Sequence, residues 1–257
     1  MKKLGALLSL VALSLIGCVG PTSFDDEGVQ ATQAFAEQAE NPDVQSPEEI
    51  AQAREAVERD FPRLTDPDEV SAAGASSVLT RYPHLDPERV VPKDLLQVAV
   101  TYFEQNKNGF PNKDYITVVD FSRRSDRYRF FLVDMTTGAV ETYHTSHGRG
   151  GDVDDDGVAE SFGNVPNSQK SSLGFARTAE VYSGTYGRAI RLDGLSTTNS
   201  KIRERFIVFH GWKQTYEANV IQGRSAGCIT LDYAVKDPVL EKIKEGSLMY
   251  VGVSKQR

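Results

Sequence analysis

The succession of strand patterns constrains the fold of this chain most strongly. Seven short runs combine β-branched and aromatic residues and are separated by turn-forming segments or helical patterns. They cover residues 115–121, 128–135, 139–145, 189–192, 206–210, 228–231 and 248–253. Because no strand–helix–strand rhythm repeats along them, a doubly wound fold is disfavoured. The sequence therefore predicts an α+β, mainly β fold in which a mostly antiparallel sheet packs against a few helices.

Helical patterns are fewer than strand patterns. Ser46 and Pro47 are residue types suited to a helix cap and a first helical position, and they predict a helix up to Arg59. Further helices are predicted from 66 or 67 to 78, between 92 and 108, and from 237 to 246. The first two predicted helices make residues 46–90 a helical extension in front of the strand-rich part.

The first residues have the layout of an export signal. Lys2 and Lys3 precede an apolar run over residues 4–16 that is too short to span a bilayer as a helix. The run ends at Cys18 in a sequence that resembles a bacterial lipobox. We therefore predict a lipoprotein signal peptide over residues 1–17 and a lipid on Cys18, with an ordinary signal peptide as the alternative.

The predicted lipid anchor defines the compartment. A lipidated Cys18 followed by Val19 rather than Asp favours a periplasmic lipoprotein of the bacterial outer membrane. Residues 18–45 contain few large apolar residues and are predicted to be a flexible, lipid-anchored tether. The formal net charge of -7 argues against nucleic acid as a partner, since phosphate binding needs clustered cations.

Cysteine usage makes one thiol conspicuous. The chain has two cysteines, so lipidation of Cys18 would leave Cys228 as a single thiol in an exported protein. Cys228 follows Gly227 in a Ser-Ala-Gly-Cys turn, and fourteen residues separate His210 from Ser225. A thiol needs a base to become a nucleophile, and an oxyanion needs main-chain N–H groups, which a glycine turn can supply. We predict Cys228 as nucleophile, His210 as base and Gly227 as the turn residue. The alternative is a buried core thiol beside a structural histidine.

These residues resemble the L,D-transpeptidase catalytic domain, whose motif is a His, a spacer and then Ser/Thr-His-Gly-Cys. The nearer resemblance is to the murein L,D-transpeptidase branch, which also carries a Ser-Ser-Leu-Gly loop and a Tyr-x-Gly-x-x-Gly loop. Here these loops are residues 171–174 and 182–187, and the turn is 223–228. The resemblance implies an antiparallel β-sandwich for the catalytic domain, assigned to residues 91–257.

The resemblance also implies a reaction. Cys228 would attack the carbonyl at the L-centre of diaminopimelate in a peptidoglycan tetrapeptide stem and release D-Ala. An amine acceptor gives a transpeptidase, and water gives an L,D-carboxypeptidase. No cofactor is required. The chain departs from the motif at Ala226, and Thr230 and Leu231 replace the usual Asn or Arg after the cysteine.

Further candidates surround this motif. Ser225, Arg224, His147 and Tyr182 are predicted to bind substrate, with Arg224 as a replacement for the missing Arg or Asn. For Arg224 a surface role, and for His147 a turn or surface role, are the alternatives.

Asp152, Asp154 and Asp156 alternate ahead of Gly157 as in the first half of a calcium loop, and a solvated acidic loop is the alternative. Position twelve of that loop is Gly163 instead of Glu. The set therefore predicts an incomplete structural calcium site.

Two other functions remain open from the sequence. The altered residue Ala226 and the missing Arg are compatible with an inactive lipoprotein that binds peptidoglycan through the same cleft. A cysteine peptidase acting on another substrate is the third interpretation.

Overall fold

The computed structural model describes residues 41–72 and 78–256. The predicted signal peptide, Cys18 and most of the predicted tether lie outside these residues. Within the described ranges, no helix has the length and apolar character that crossing a membrane requires.

Four α-helices form where capping residues or apolar faces allow them. They are α1 (Pro47–Asp60), α2 (Pro67–Ala72), α3 (Lys93–Gln105) and α4 (Tyr233–Ile243). Ser46 caps α1 in a full capping box with Glu49, as its sequence predicts. Helix α4 begins earlier than predicted because the Asp232 side chain accepts a hydrogen bond from the Ala234 N–H, so Pro238 lies inside the helix.

Eight strands form one continuous sheet. They are β1 (Tyr115–Asp120), β2 (Phe130–Asp134), β3 (Val140–Tyr143), β4 (Gly174–Gly184), β5 (Gly187–Gly194), β6 (Val208–Gly211), β7 (Ile229–Leu231) and β8 (Leu248–Gly252). Their order is β3-β2-β1-β8-β4-β5-β6-β7. All neighbours are antiparallel except β1 with β8 and β6 with β7.

The sheet buries apolar side chains on both faces. One core includes Phe103, Phe131 and Phe175 and lies under α1 and α3. The other includes Phe130 from β2, Phe209 from β6 and residues of α4, so side chains from distant strands meet there. This confirms the α+β, mainly β fold, with the layers of the predicted sandwich joined in one curled sheet.

Strand β4 is the element that sequence patterns missed. Its first five residues are buried, but its second half is largely exposed, and its register with β5 shifts between Thr178 and Val181. An irregular strand with polar residues lacks the clean two-residue alternation on which strand prediction depends. The missed strand pairs with both β5 and β8 and so lies in the middle of the sheet.

Residues 41–45 differ from the flexible tether that was predicted for them. Arg191 donates hydrogen bonds to the main-chain oxygens of Pro42 and Asp43, and Gln45 is 7% exposed. The following extension is also part of the compact unit, because Phe61 packs edge-on against Phe110 in the first core. The chain is therefore anchored to the domain from residue 42 onward.

Candidate active site

The parallel pair β6–β7 brings Cys228 and His210 to neighbouring strands. His210 in β6 lies opposite Thr230 in β7, and Cys228 immediately precedes β7. Residues two apart on a strand share a face, so Cys228 and His210 are diagonal neighbours. Diagonal positions on paired strands are about 7 Å apart, which long side chains can bridge. The structure thus brings together the two residues that the sequence singled out.

The turn before Cys228 is held by its own side chains. Gly227 has φ +121°, and a Cβ there would lie 2.7 Å from both Ile207 Cδ1 and the Lys170 oxygen. The Ser225 hydroxyl accepts from the Gly227 N–H at 3.0 Å and donates to the Cys228 oxygen at 2.9 Å. Glycine is therefore required at 227, and Ser225 shapes the turn.

Two other segments fix this turn from outside. The Ser225 N–H donates to the His147 oxygen at 2.8 Å, and the Arg149 N–H donates to the Ser225 oxygen at 2.9 Å. The Ser171 hydroxyl donates to the Gly227 oxygen at 3.1 Å and accepts from the main chain after His147. The Ser-Ser-Leu-Gly motif thus contributes a serine that joins three segments at the cysteine turn.

The His210 ring has the tautomer that a base needs. Its Nδ1 lies 2.8 Å from the Gly211 oxygen, and because a carbonyl only accepts, we assign the proton to Nδ1. This leaves the lone pair on Nε2. Burial lowers the pKa of His210 against the raising effects of Gly211 and the Asp43 carboxylate, so the ring is neutral at neutral pH. The Tyr186 ring stacks on it at 4.4 Å between centroids.

The thiol rests in its protonated form. Burial raises the pKa of Cys228 to about 11, although the Val208 N–H and the Arg205 guanidinium favour the thiolate. Its Sγ lies 3.7 Å from the Phe206 oxygen. The half-buried thiol is therefore uncharged at neutral pH, and a base would be needed to make it a nucleophile.

Arg205 is a site residue that sequence reasoning missed. Its guanidinium donates to the Gly163 and Lys170 oxygens at 2.7 and 2.6 Å and to the Ser172 hydroxyl at 2.6 Å. Its Nε is buried and has no hydrogen-bond partner among the described residues. No motif marks Arg205, because it lies in a charged stretch that is typical of a solvated surface.

Arg224 and His147 lie in a neighbouring network. The Arg224 Nε pairs with Asp155 Oδ1 at 2.7 Å, and its Nη1 donates to the Asp152 oxygen. His147 Nδ1 lies 2.8 Å from Arg129 Nη2, and its Nε2 lies 2.9 Å from Asp152 Oδ2. Burial, with the Arg129 charge, lowers the pKa of His147 to about 4, so it is neutral. In the described structure both nitrogens of the His147 ring bond to residues other than Cys228 and His210.

The acidic loop gathers four carboxylates. Ligand oxygens of Asp152, Asp154, Asp156 and Glu160 lie within 4.8 Å of one another, an all-oxygen set that suits a hard cation. Glu160 adds a fourth carboxylate to the three that the sequence predicted. Asp152, however, is buried and already accepts from the main-chain N–H groups of Asp156 and Gly157, both at 3.2 Å. The residues fit calcium only in part, and calcium binding stays a prediction.

Tyr182 lies near the end of β4. The Arg191 guanidinium lies 4.0 Å from the centroid of its ring. Burial and the Asp43 carboxylate raise the pKa of Tyr182 above its usual range, and the charge of Cys228 acts in the same direction. Tyr182 thus lies within electrostatic range of Cys228, and substrate binding by Tyr182 stays a prediction. Asp43 was not expected there.

Comparison with known proteins gives a family for this arrangement. The model of the family described as "L,D-transpeptidase catalytic domain" matches residues 88–251, which is more than half of the chain. The match includes β1 to β7 and most of β8, and it contains both His210 and Cys228. No curated protein sequence matches this chain.

Several solved structures are similar in part. An L,D-transpeptidase from Mycobacterium smegmatis is 12% identical, with 55% of this chain and 59% of that chain covered and a TM-score of 0.36. A second, from Mycobacterium tuberculosis, is 13% identical, with 54% and 57% covered and a TM-score of 0.36. The helical cell shape determining protein Pgp2 from Campylobacter jejuni is 12% identical, with 57% and 50% covered and a TM-score of 0.35. This chain thus spans less than two thirds of the length of these structures.

Proposed function

We propose, from the premise that the chain belongs to the L,D-transpeptidase catalytic domain family, that it is a cysteine acyltransferase acting on the tetrapeptide stems of peptidoglycan. The observation that carries the proposal is the placement of Cys228 and His210 at diagonal positions of the parallel pair β6–β7, with the lone pair of the His210 ring on Nε2. Thiol acyl transfer requires at least a thiol and a neutral imidazole whose lone pair can accept the thiol proton.

The reaction follows from these two side chains. His210 Nε2 takes the proton of Cys228 Sγ as the sulfur attacks the carbonyl at the L-centre of diaminopimelate. We assign the oxyanion to the main-chain turn at Gly227, whose positive φ redirects the adjacent peptide planes. His210 then gives its proton to the amine of the departing D-Ala, which leaves a thioester on Cys228. An acceptor amine breaks the thioester and restores the thiol.

Two outcomes are open to the same thioester. Attack by an amine makes a cross-link or attaches another group, and attack by water makes the enzyme an L,D-carboxypeptidase. Transpeptidation is favoured here because the family is described by that activity. One observation favours the catalytically inactive, peptidoglycan-binding alternative, namely that burial raises the pKa of the half-buried Cys228 thiol to about 11.

The setting of the enzyme is also a proposal. We place it in the bacterial envelope as a periplasmic lipoprotein, held to the outer membrane by a lipid on Cys18, because the first seventeen residues have the charge and apolar pattern of a lipoprotein signal. Labelling of cells with palmitate tests this, since the label should be lost in Cys18→Ala.

Incubation with purified tetrapeptide muropeptides tests the activity. Mass spectrometry should detect loss of terminal D-Ala, with new dimers for a transpeptidase or tripeptides alone for a carboxypeptidase. Both products should disappear in Cys228→Ala and fall by about 100-fold or more in His210→Gln. His84→Gln is the matched control, because His84 bonds to the Met135 oxygen on the β2–β3 turn. A folded wild-type protein that leaves the muropeptides unchanged would overturn the proposed activity and leave the inactive binding protein and a cysteine peptidase with another substrate as the alternatives.

A further inference from the structure

Residues 41–45, which we call the strap, are fastened across β4 and β5. Arg191 in β5 donates to the Pro42 oxygen at 2.7 Å and to the Asp43 oxygen at 3.2 Å. At the other end, Gln45 accepts from Arg203 at 2.9 Å and donates to Glu180 at 3.2 Å. The strap therefore has its own binding surface on the sheet, made of polar side chains.

The Asp43 carboxylate fills a small recess at the end of β4. Its Oδ2 accepts from the Thr185 N–H at 3.0 Å. A Cβ on Gly184 would lie 1.9 Å from its Oδ1, so only glycine leaves room for the carboxylate at this place. Burial disfavours its charge, but hydrogen bonding from Thr185 and Tyr182 outweighs this and lowers the pKa of Asp43. The recess thus binds an ionised carboxylate.

The recess borders the catalytic pair. The Asp43 charge raises the pKa of both His210 and Cys228, so the carboxylate lies within electrostatic reach of each. Tyr186, in the same β4–β5 turn as Thr185, stacks on the His210 ring. A substrate whose scissile carbonyl reaches Cys228 would extend towards this turn.

We propose that the recess formed by the Thr185 N–H, the Tyr182 hydroxyl and Gly184 is a carboxylate subsite of the catalytic cleft, occupied by Asp43 until a carboxylate of the peptide stem displaces the strap. This inference rests on the proposed function, because the proposed substrate supplies the ligand. It gives the substrate a carboxylate contact on the β4–β5 turn, in place of one at Thr230 or Leu231, where the family motif has Asn or Arg. Arg224 bonds to the acidic loop instead.

Paired alkylating reagents test the subsite on the intact protein. Iodoacetate carries a carboxylate and iodoacetamide does not, so the ratio of their rates at Cys228 reports an anion site beside the thiol. Asp43→Ala should raise this ratio about tenfold by vacating the recess and removing a repelling charge. Asp43→Asn should raise it less, because its amide oxygen still accepts from Thr185 and keeps the strap in place.

Asp134→Asn is the matched control. Asp134 also accepts two main-chain N–H groups in a turn, but on the β2–β3 hairpin. In Asp134→Asn, the ratio of the iodoacetate rate to the iodoacetamide rate at Cys228 should equal that of the wild type. An unchanged ratio in both Asp43 variants would overturn the subsite. Slower reaction with both reagents would also overturn it, and would make Asp43 a positioning residue for His210.

Binding of the stem itself identifies the carboxylate. In Cys228→Ser, which removes turnover, adding Asp43→Ala should tighten binding of the free tetrapeptide about tenfold in calorimetry. If the terminal carboxylate is the ligand, amidating the C-terminus of the tetrapeptide should abolish this gain in affinity. If the side-chain carboxylate of diaminopimelate is the ligand, amidating that group should abolish the gain. Adding Tyr182→Phe to the Cys228→Ser, Asp43→Ala variant should reduce the gain in tetrapeptide affinity, whichever carboxylate is the ligand.

A gain that survives both amidations, or no gain at all, would overturn the subsite. These readouts do not depend on catalysis. If the protein does not turn over muropeptides but the Asp43 substitutions change the alkylation ratio and the tetrapeptide affinity as expected, only the proposed function is overturned. If the protein is active but these substitutions have no such effect, only the subsite is overturned.

Discussion

The Cys228 turn and the β4–β5 turn both lie near His210, but they are held by different forces. Around Cys228, short side chains and main-chain groups fit one another with no spare volume, as the contacts of Ser225 and Gly227 show. Around Thr185, the long charged side chains of Arg191 and Arg203 hold the strap. Steric fit tolerates almost no displacement, whereas polar contacts can be replaced by contacts with water or with a ligand at a net cost of about 1 kcal/mol each.

The turn at Cys228 is therefore the fixed side of the site, and the strap over the β4–β5 turn is the replaceable side. The nucleophile has to be held rigidly, because a displacement of about 1 Å can cost about 100-fold in rate. A surface that must receive a ligand carboxylate can instead be covered by a segment whose contacts the ligand reproduces. Each of the following predictions perturbs one part of the molecule, in most cases the cysteine turn or the strap.

Gly227→Ala should have the largest effect. Alanine at φ +121° is strained, and its Cβ would meet the Lys170 oxygen at 2.7 Å. We expect muropeptide turnover to fall by roughly 100-fold or more. Gly187→Ala is the control, because Gly187 also has a positive φ of +77° but nothing lies within 4 Å of its added Cβ. Equal losses in both variants would mean that backbone strain alone, without the steric fit at the cysteine, governs activity.

The pH profile of turnover should show the next largest effect. His210 must be neutral to accept the thiol proton, and burial lowers its pKa. Activity should therefore persist as the pH falls to about 6.5, the ordinary pKa of histidine, and decline only below it. In Asp43→Ala the removal of a raising charge should move this acidic limb to still lower pH. An acidic limb above pH 7 in the wild type would contradict a neutral, buried His210.

Arg205→Gln should give a moderate effect on the fixed side of the cleft. The variant removes a charge that favours the Cys228 thiolate and loosens the ties to Gly163 and Lys170. We expect iodoacetamide labelling of Cys228 to slow by about tenfold, since a shift of one pKa unit is about 1.4 kcal/mol. Arg54→Gln, which loses only an exposed ion pair with Glu204, should label like the wild type. Normal labelling of Arg205→Gln would remove Arg205 from the site.

Gln45→Ala should affect the replaceable side alone. The substitution deletes two side-chain hydrogen bonds that hold the strap, to Glu180 and Arg203. The free energy of unfolding should fall by about 1 kcal/mol in urea denaturation. Turnover should be maintained or increased, because the strap leaves the cleft more readily. A loss of turnover would show that the strap supports catalysis.

Calcium should have the smallest effect. If the acidic loop binds it, millimolar calcium should raise the melting temperature by a few degrees through preferential binding to the folded state. The shift should vanish in Asp154→Asn with Asp156→Asn, both exposed residues whose loss leaves the buried Asp152 in place. An identical melting temperature with calcium and with a chelator would identify a solvated acidic loop.

The residues that carry local patterns are those that the sequence predicted well. Strands β1, β2 and β8 match their apolar runs closely, and helix α1 starts at the predicted cap. These features depend on a few neighbouring residues, so a short window contains the information. Strand β4 escaped prediction because its bulge and exposed half break the two-residue period.

The residues of the candidate site also differ in whether a local sequence pattern predicts them. His210, Cys228 and Gly227 form a motif in sequence, and the pairing of β6 with β7 brings the two side chains to neighbouring strands. Arg205 and Asp43 belong to no motif, because they come within electrostatic range of the cysteine only in the folded chain. Arg224 shows the converse, since its adjacency in sequence suggested a substrate contact and its ion pair with Asp155 turns it to the acidic loop.

The sequence by itself determined the mainly β character and the family motif that contains His210 and Cys228, because each depends on residue types at short spacings. Only the tertiary structure decided the continuous curled sheet, the arginine beside the thiol and the strap over the β4–β5 turn. Those features join residues far apart along the chain, as Asp43 with Thr185 does, and no local pattern specifies which distant partners will meet.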